Sequence, residues 1–232
     1  MPRLPIPERE LPHVRRLMER GKDGCLACYR AIQQGYPVQI LLNTISERYQ
    51  RVRFHGTPAR LLHAQAEAMG LALLQWPTPD DTYEEAFQAA LRELLGRGVT
   101  GVVFGDIYPE ENRDWCRRMC ANVGLEAVHP IFGMESQAVM DEFLGAGFEA
   151  VVVSGRPDYF SAAQMGQRLG PGFLAWCAAQ PGLDICGEKG EYHTVVVDGP
   201  LFKQRLALTE AEPCQVNGHW FLDIRLWELR AK

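Results

Sequence analysis

Apolar and polar positions along the chain alternate between two rhythms. Leu26, Ala27, Tyr29, Ala31 and Ile32 recur at helical spacing after Gly24, and Gly35-Tyr36-Pro37 ends that helix. Residues 38–43 (VQILLN) form a continuous apolar run, the pattern of a strand buried on both faces. An amphipathic helix is predicted over 58–69, with Pro58 near its first turn and Gly70 after its end. A short strand follows over 71–75. A helix over 82–95 takes Asp81 or Thr82 as its cap and Glu84 and Glu85 in its first turn. Next come a strand at 101–105 (GVVFG), a helix at 110–122, a strand at 125–129, a helix at 136–146 and a strongly apolar strand at 148–154. This alternation predicts an α/β fold with a mostly parallel twisted sheet flanked by helices.

After Ser154 the rhythm changes. A Gly- and Pro-rich stretch of loop and helix leads to a strand at 194–197, the turn Asp198-Gly199-Pro200, and a hairpin-like pair around Asn217-Gly218. These features predict a smaller C-terminal α+β subdomain. The division is placed near residue 130, giving residues 1–130 and 131–232.

Composition narrows the class. The formal net charge of -5 gives no basic face of the kind that broad nucleic-acid binding needs. No apolar run reaches the roughly 18 residues of a membrane span. The first residues, MPRLPIPERELPHVRR, carry prolines and charges where a secretory signal would be apolar, so a cytoplasmic location is expected. Seven cysteines, an odd number, favour reduced thiols. Cys25 and Cys28 form a CxxC without a second pair at ligand spacing, inside a helical pattern.

Two segments carry candidate chemistry. Gly21-Lys22-Asp23-Gly24 lies directly before the first helix. Small residues there let backbone N–H groups approach phosphates, and the helix start adds positive potential. Lys22 adds a full charge, and Asp23 is suited to magnesium. The same tetrapeptide would also serve as a polar turn capping a helix. The second segment is Cys186-Gly187-Glu188-Lys189-Gly190-Glu191-Tyr192-His193-Thr194. Strand alternation would aim Glu191 and His193 at one face and Tyr192 and Thr194 at the other, with Glu188 in the loop before. Such a trio can hold a cation, accept hydrogen bonds from an amine, or move protons. A solvated acidic strand with a bonded histidine is the bland alternative.

The segment MERGKDGCLACYRA resembles the SGGKDS loop of the PP-loop ATP pyrophosphatases. Glu19-Arg20 stand where that family has Ser-Gly, and Gly24 where it has Ser. GEKGEYHT followed by VVVDGPLF resembles the signature of the superfamily's diphthine–ammonia ligase branch. LLNTISE, HGTPARLLHAQAEAMGL, GVTGVVFGDIYPEENRDW, GLEAVHPIFG and FLGAGFEAVVVS match it in order and spacing, so the resemblance runs from about residue 21 to residue 202.

The resemblance implies a PP-loop, Rossmann-like fold and an ATP-dependent ligase that adenylates a carboxylate and amidates it with ammonia, releasing AMP and pyrophosphate. It implies ATP and Mg2+, with Asp23 on the metal. Gly21, Lys22, Asp23 and Gly24 would face the phosphates. Asn43, Thr44, Ser46 and His55 would lie on the adenosine side. Gly105 and Asp106 match the GDI turn, and Glu188, Glu191 and His193 would line the acceptor pocket. The acceptor implied is diphthine on an elongation factor, or a small-molecule carboxylate in its place; a homodimer is compatible. The altered loop also motivates a different class, a nucleotide-binding module without turnover. Bland roles remain open for Thr44 and Ser46 as turn-bonding residues, for His55 as a loop residue and for Asp106 as a cap for the helix after it.

Overall fold

A computed structural model describes residues 21–46, 56–79 and 81–232. Glu19, Arg20 and His55 lie outside the described residues.

The first half alternates helix and strand: α1 (Lys22–Gln33), β1 (Ile40–Ser46), α2 (Ala59–Met69), β2 (Ala72–Thr78), α3 (Tyr83–Gly96), β3 (Gly101–Val103), α4 (Glu110–Ala121) and β4 (Glu126–Val128). β1 pairs with β2 in parallel from Ile40↔Ala72 to Ser46↔Thr78. β3 pairs with β4 in parallel from Gly101↔Glu126 to Val103↔Val128. Parallel neighbours need a crossover, and α2 and α4 provide it.

Strand alternation feeds two cores. Leu41 and Val103 enter one apolar cluster. Ile40, Leu42 and Val102 enter the other, with Leu91 and Leu94 of α3 and Met119 of α4. Burial on both faces explains why these strands read as unbroken apolar runs.

The second half holds α5 (Ser136–Gly145), β5 (Glu149–Gly155), a 3-10 turn at Ala162–Gln164, α6 (Pro171–Ala178), β6 (Tyr192–Asp198), β7 (Gln204–Val216) and β8 (His219–Ala231). Its four strands form an antiparallel sheet in the order β6-β5-β8-β7. β5, which continues the apolar-strand rhythm of the first half, therefore joins an antiparallel sheet rather than the parallel strands. β7 and β8 meet at Asn217 and Gly218, both with positive φ (50° and 84°). That conformation suits a two-residue turn that matches strand twist, and Asn-Gly tolerates it best. The architecture is thus mixed α/β, with parallel strands and helices followed by a smaller antiparallel subdomain.

The larger apolar cluster runs through both halves. It contains Cys25, Leu61 and Val103 together with Phe143, Val152 and Val196. A buried amide reinforces the join: Gln65 of α2 donates to the Val196 carbonyl of β6 at 2.8 Å. Among the described residues, no helix is long and apolar enough to cross a membrane.

Candidate active site

The start of α1 meets the start of β6. Lys22 is only 3% exposed. Its backbone N–H donates to Thr194 Oγ1 at 3.1 Å. Its ammonium donates to Asp23 Oδ2 at 2.7 Å and to the Cys186 carbonyl, and lies 5.3 Å from the centre of the Tyr192 ring. Burial works against the lysine's charge, but the Asp23 carboxylate, with Tyr192 and Cys186 adding to it, holds the pKa above the ordinary lysine value. Asp23 Oδ1 is buried and has no hydrogen-bond partner among the described residues.

Two more carboxyl groups face this pair. Asp106 follows β3 and accepts a weak bond from the Cys116 thiol at 3.7 Å. It does not cap α4, whose N-cap is Pro109. Burial pushes its pKa up, and the charge of Asp23 adds to the effect. Glu188 accepts from the Ile107 N–H at 3.4 Å. Burial, then the neighbouring Asp23 charge, pushes its carboxyl up to about 8. Three acidic groups and one buried ammonium therefore share one low-dielectric region, and the balance among them is short of positive charge.

These groups line a cleft of about 470 Å3. Gly21, Lys22, Asp23 and Gly24 line it, as do Gly105 and Asp106. Asn43 and Thr44 line it from the middle of β1, and Glu188 and His193 from the C-terminal half. Asn43 Oδ1 is buried with no hydrogen-bond partner among the described residues, although its amide nitrogen donates to the Thr44 carbonyl at 2.8 Å. The cleft lies just past the C-terminal end of β3, where open α/β sheets bind ligands.

Two of the expected residues stand elsewhere. Ser46, at the end of β1, is 7% exposed and outside the lining. Glu191 is 1% exposed and lies behind the wall rather than in it. Its two oxygens accept from the Asp184 N–H at 3.0 Å and the Lys189 N–H at 2.9 Å. β6 begins only at Tyr192, so strand alternation does not reach Glu191. The carboxylate instead ties together the loop that carries Glu188.

Sequence reasoning passed over several lining groups. Tyr192 and Thr194 were set on the face away from the trio, yet both line the cleft and both engage Lys22. An aromatic wall of Tyr83, Phe87 and Trp115 closes another side, with Phe87 and Trp115 ring centres 5.1 Å apart. Only its spacing on α3 and α4 hinted at it, and that spacing equally describes a core. The CxxC thiols are buried, at 0% for Cys25 and 1% for Cys28, and all seven cysteines are free. Among the described residues, no three His, Cys, Asp or Glu side chains are grouped to hold a metal by themselves.

The family model described as the diphthamide synthase N-terminal domain matches residues 13–127, and the diphthamide synthase C-terminal domain matches residues 135–229. A Danio rerio protein named diphthine–ammonia ligase is 24% identical over 223 residues, covering 84% of this chain and 86% of its own. The Homo sapiens protein of the same name is 22% identical over 227 residues, covering 84% and 82%. A solved structure, titled as a predicted subunit of tRNA methyltransferase from Methanocaldococcus jannaschii, is 15% identical with a TM-score of 0.45, covering 82% of this chain and 98% of that one. With both halves matched in order by the two domains of one enzyme family, the chain belongs to the diphthine–ammonia ligase branch of the PP-loop superfamily.

Proposed function

We propose that this protein is an ATP-dependent ligase that activates a carboxylate by adenylation and amidates it with ammonia, the acceptor being diphthine on an elongation factor. The observation that carries the reading is the meeting of the Lys22-Asp23 turn with Asp106, Glu188 and His193 in one cleft. Relatives bearing the ligase name across most of both chains support it.

In the proposed reaction, an acceptor carboxylate oxygen attacks the α-phosphorus of ATP and pyrophosphate leaves. Ammonia then forms the C–N bond, AMP leaves, and the nitrogen sheds a proton. The α1 start, with its amide dipoles and the Lys22 ammonium, offsets charge building on the phosphates. His193 is the lining group able to take the proton, since Glu188 already carries one up to about pH 8. Asn43 Oδ1, a buried acceptor without a partner among the described residues, suits a donor on the adenine ring.

Magnesium fits as the missing positive charge. Asp23 Oδ1 lacks a partner among the described residues, and Mg2+ is commonly held by one or two carboxylates with substrate phosphates completing the set. Asp23 would hold it, and when bound it would neutralise phosphate charge.

One observation favours a second reading, a nucleotide-binding module without turnover. The Lys22 ammonium is already engaged by Asp23 and the Cys186 carbonyl. A single assay separates the two: incubation with ATP, magnesium, ammonium and either a diphthine-bearing elongation factor or small carboxylates, with AMP measured. Acceptor-dependent AMP supports the ligase and names the acceptor class. ATP binding without AMP under every condition supports the module.

A further inference from the structure

We infer that Thr194 is a positioning residue for the phosphate-side turn, its hydroxyl fixing the first amide of α1 and so setting where the Asp23 and Gly24 amides and the Lys22 ammonium stand in the cleft. The inference rests on the ligase reading of that cleft. A helix start leaves its first N–H groups without intrahelical partners, and a local Ser, Thr, Asp or Asn side chain usually takes one of them. Here the N-cap is Gly21, which has no side chain to offer. The acceptor comes from 172 positions away, as Thr194 Oγ1 takes the Lys22 N–H.

The anchor is itself immobilised. Thr194 is 2% exposed and pairs with Val152 in the antiparallel sheet. A β-branched side chain in a strand has little χ1 freedom, so the hydroxyl is held in place by the backbone that carries it.

Tyr192 lies two residues earlier, on the same face of β6. Its ring stands 5.3 Å from the Lys22 ammonium, and its hydroxyl donates to the Ile185 carbonyl at 2.6 Å. That bond steadies the segment whose next carbonyl, that of Cys186, accepts from the same ammonium. One face of β6 thus grips Lys22 at both ends, backbone through Thr194 and side chain through Tyr192. Asp23 and Gly24, the next residues of this helix start, both line the cleft. Small shifts of the clamp would act first on phosphate binding, since its hydroxyl and its ring both engage Lys22.

The test compares wild type, Thr194→Ser and Thr194→Val by calorimetric titration with ATP and magnesium, and by KM for ATP and for ammonium. Loss of one amide–hydroxyl bond is expected to weaken ATP binding by about tenfold in Thr194→Val, with about twofold or less in Thr194→Ser. KM for ammonium is expected to stay at the wild-type value. ATP binding by Thr194→Val equal to wild type, a serine variant as weak as the valine one, or a parallel rise in KM for ammonium overturns the inference. Hydrogen exchange on wild-type protein needs no variant to fold: a protected Lys22 amide supports the clamp, and exchange at a surface rate overturns it. Wild-type protein that binds no ATP overturns the ligase reading itself, a result distinct from equal binding by wild type and variant.

Discussion

A Cβ built on Gly105 would lie 2.7 Å from the backbone nitrogen of Gly24. The end of β3 therefore packs directly on the first turn of α1, with no room for any side chain between them. A second atom, the Asp23 carbonyl carbon, would stand 2.8 Å away, so the obstacle is backbone and cannot swing aside. Gly105→Ala is expected to push the helix start out of place and to destabilise the protein by about 1–3 kcal/mol, as overpacking does. Calorimetric ATP titration should show weaker binding, and thermal unfolding a lower midpoint. Wild-type values for both would mean that the contact is looser than described.

Glu188 gives a pH signature. In the folded protein its carboxyl keeps its proton up to about pH 8, whereas the ordinary value is 4.5. The folded state thus binds more protons than the unfolded state between those values, and its stability falls as pH rises through the window. Glu188→Gln, which cannot ionise, is expected to flatten that part of the slope and to raise the melting temperature of the ligand-free protein near pH 8. Melting curves recorded from about pH 5 to about pH 8 decide the matter. Parallel slopes in variant and wild type would remove the buried-acid account.

Glu191 should behave as a structural residue. Removing its carboxylate strands two amides, those of Asp184 and Lys189. Glu191→Ala is expected to cost about 1–3 kcal/mol through these unsatisfied donors. Because the same loop presents Glu188 and the Cys186 carbonyl, both ATP binding and acceptor use should weaken together. A variant with native stability and a defect confined to the acceptor would instead put Glu191 in contact with substrate.

The thiols offer a simple chemical check. Burial pushes Cys120, Cys177 and Cys186 up to about 12 and raises Cys25 well above its usual value. The thiolate is the reactive form, so these groups should be inert in the native protein. A thiol-reactive dye under native conditions should modify Cys214, which is partly exposed, well before the buried six. Fast reaction of Cys25 or Cys28 would contradict the packing of α1.

Local rules made much of this architecture legible. Periodicity located α2 and α3 to within a residue or two, because their apolar stripes face large cores. Asn217-Gly218 marked the last turn through its backbone preferences, while the extent of the strands it joins, 13 residues each, was not legible. Their faces carry exposed charged residues such as Glu212 and Arg225, paired across the ladder, which mask alternation. The site was readable where a motif stays contiguous, as at Lys22-Asp23 and Glu188. It was unreadable where function depends on a partner far along the chain. Nothing near Lys22 announces Thr194, and Glu191 was misplaced because the position at which the strand begins is a tertiary matter.

The continuous apolar cluster that links Cys25 and Leu61 with Phe143 and Val196 has a consequence for how such a protein can arise and be divided. A gene fragment ending near residue 127 would encode a chain with one oily flank uncovered, and the complementary fragment would carry the matching flank. Expressed apart, the pieces should clump; expressed together, they should find each other.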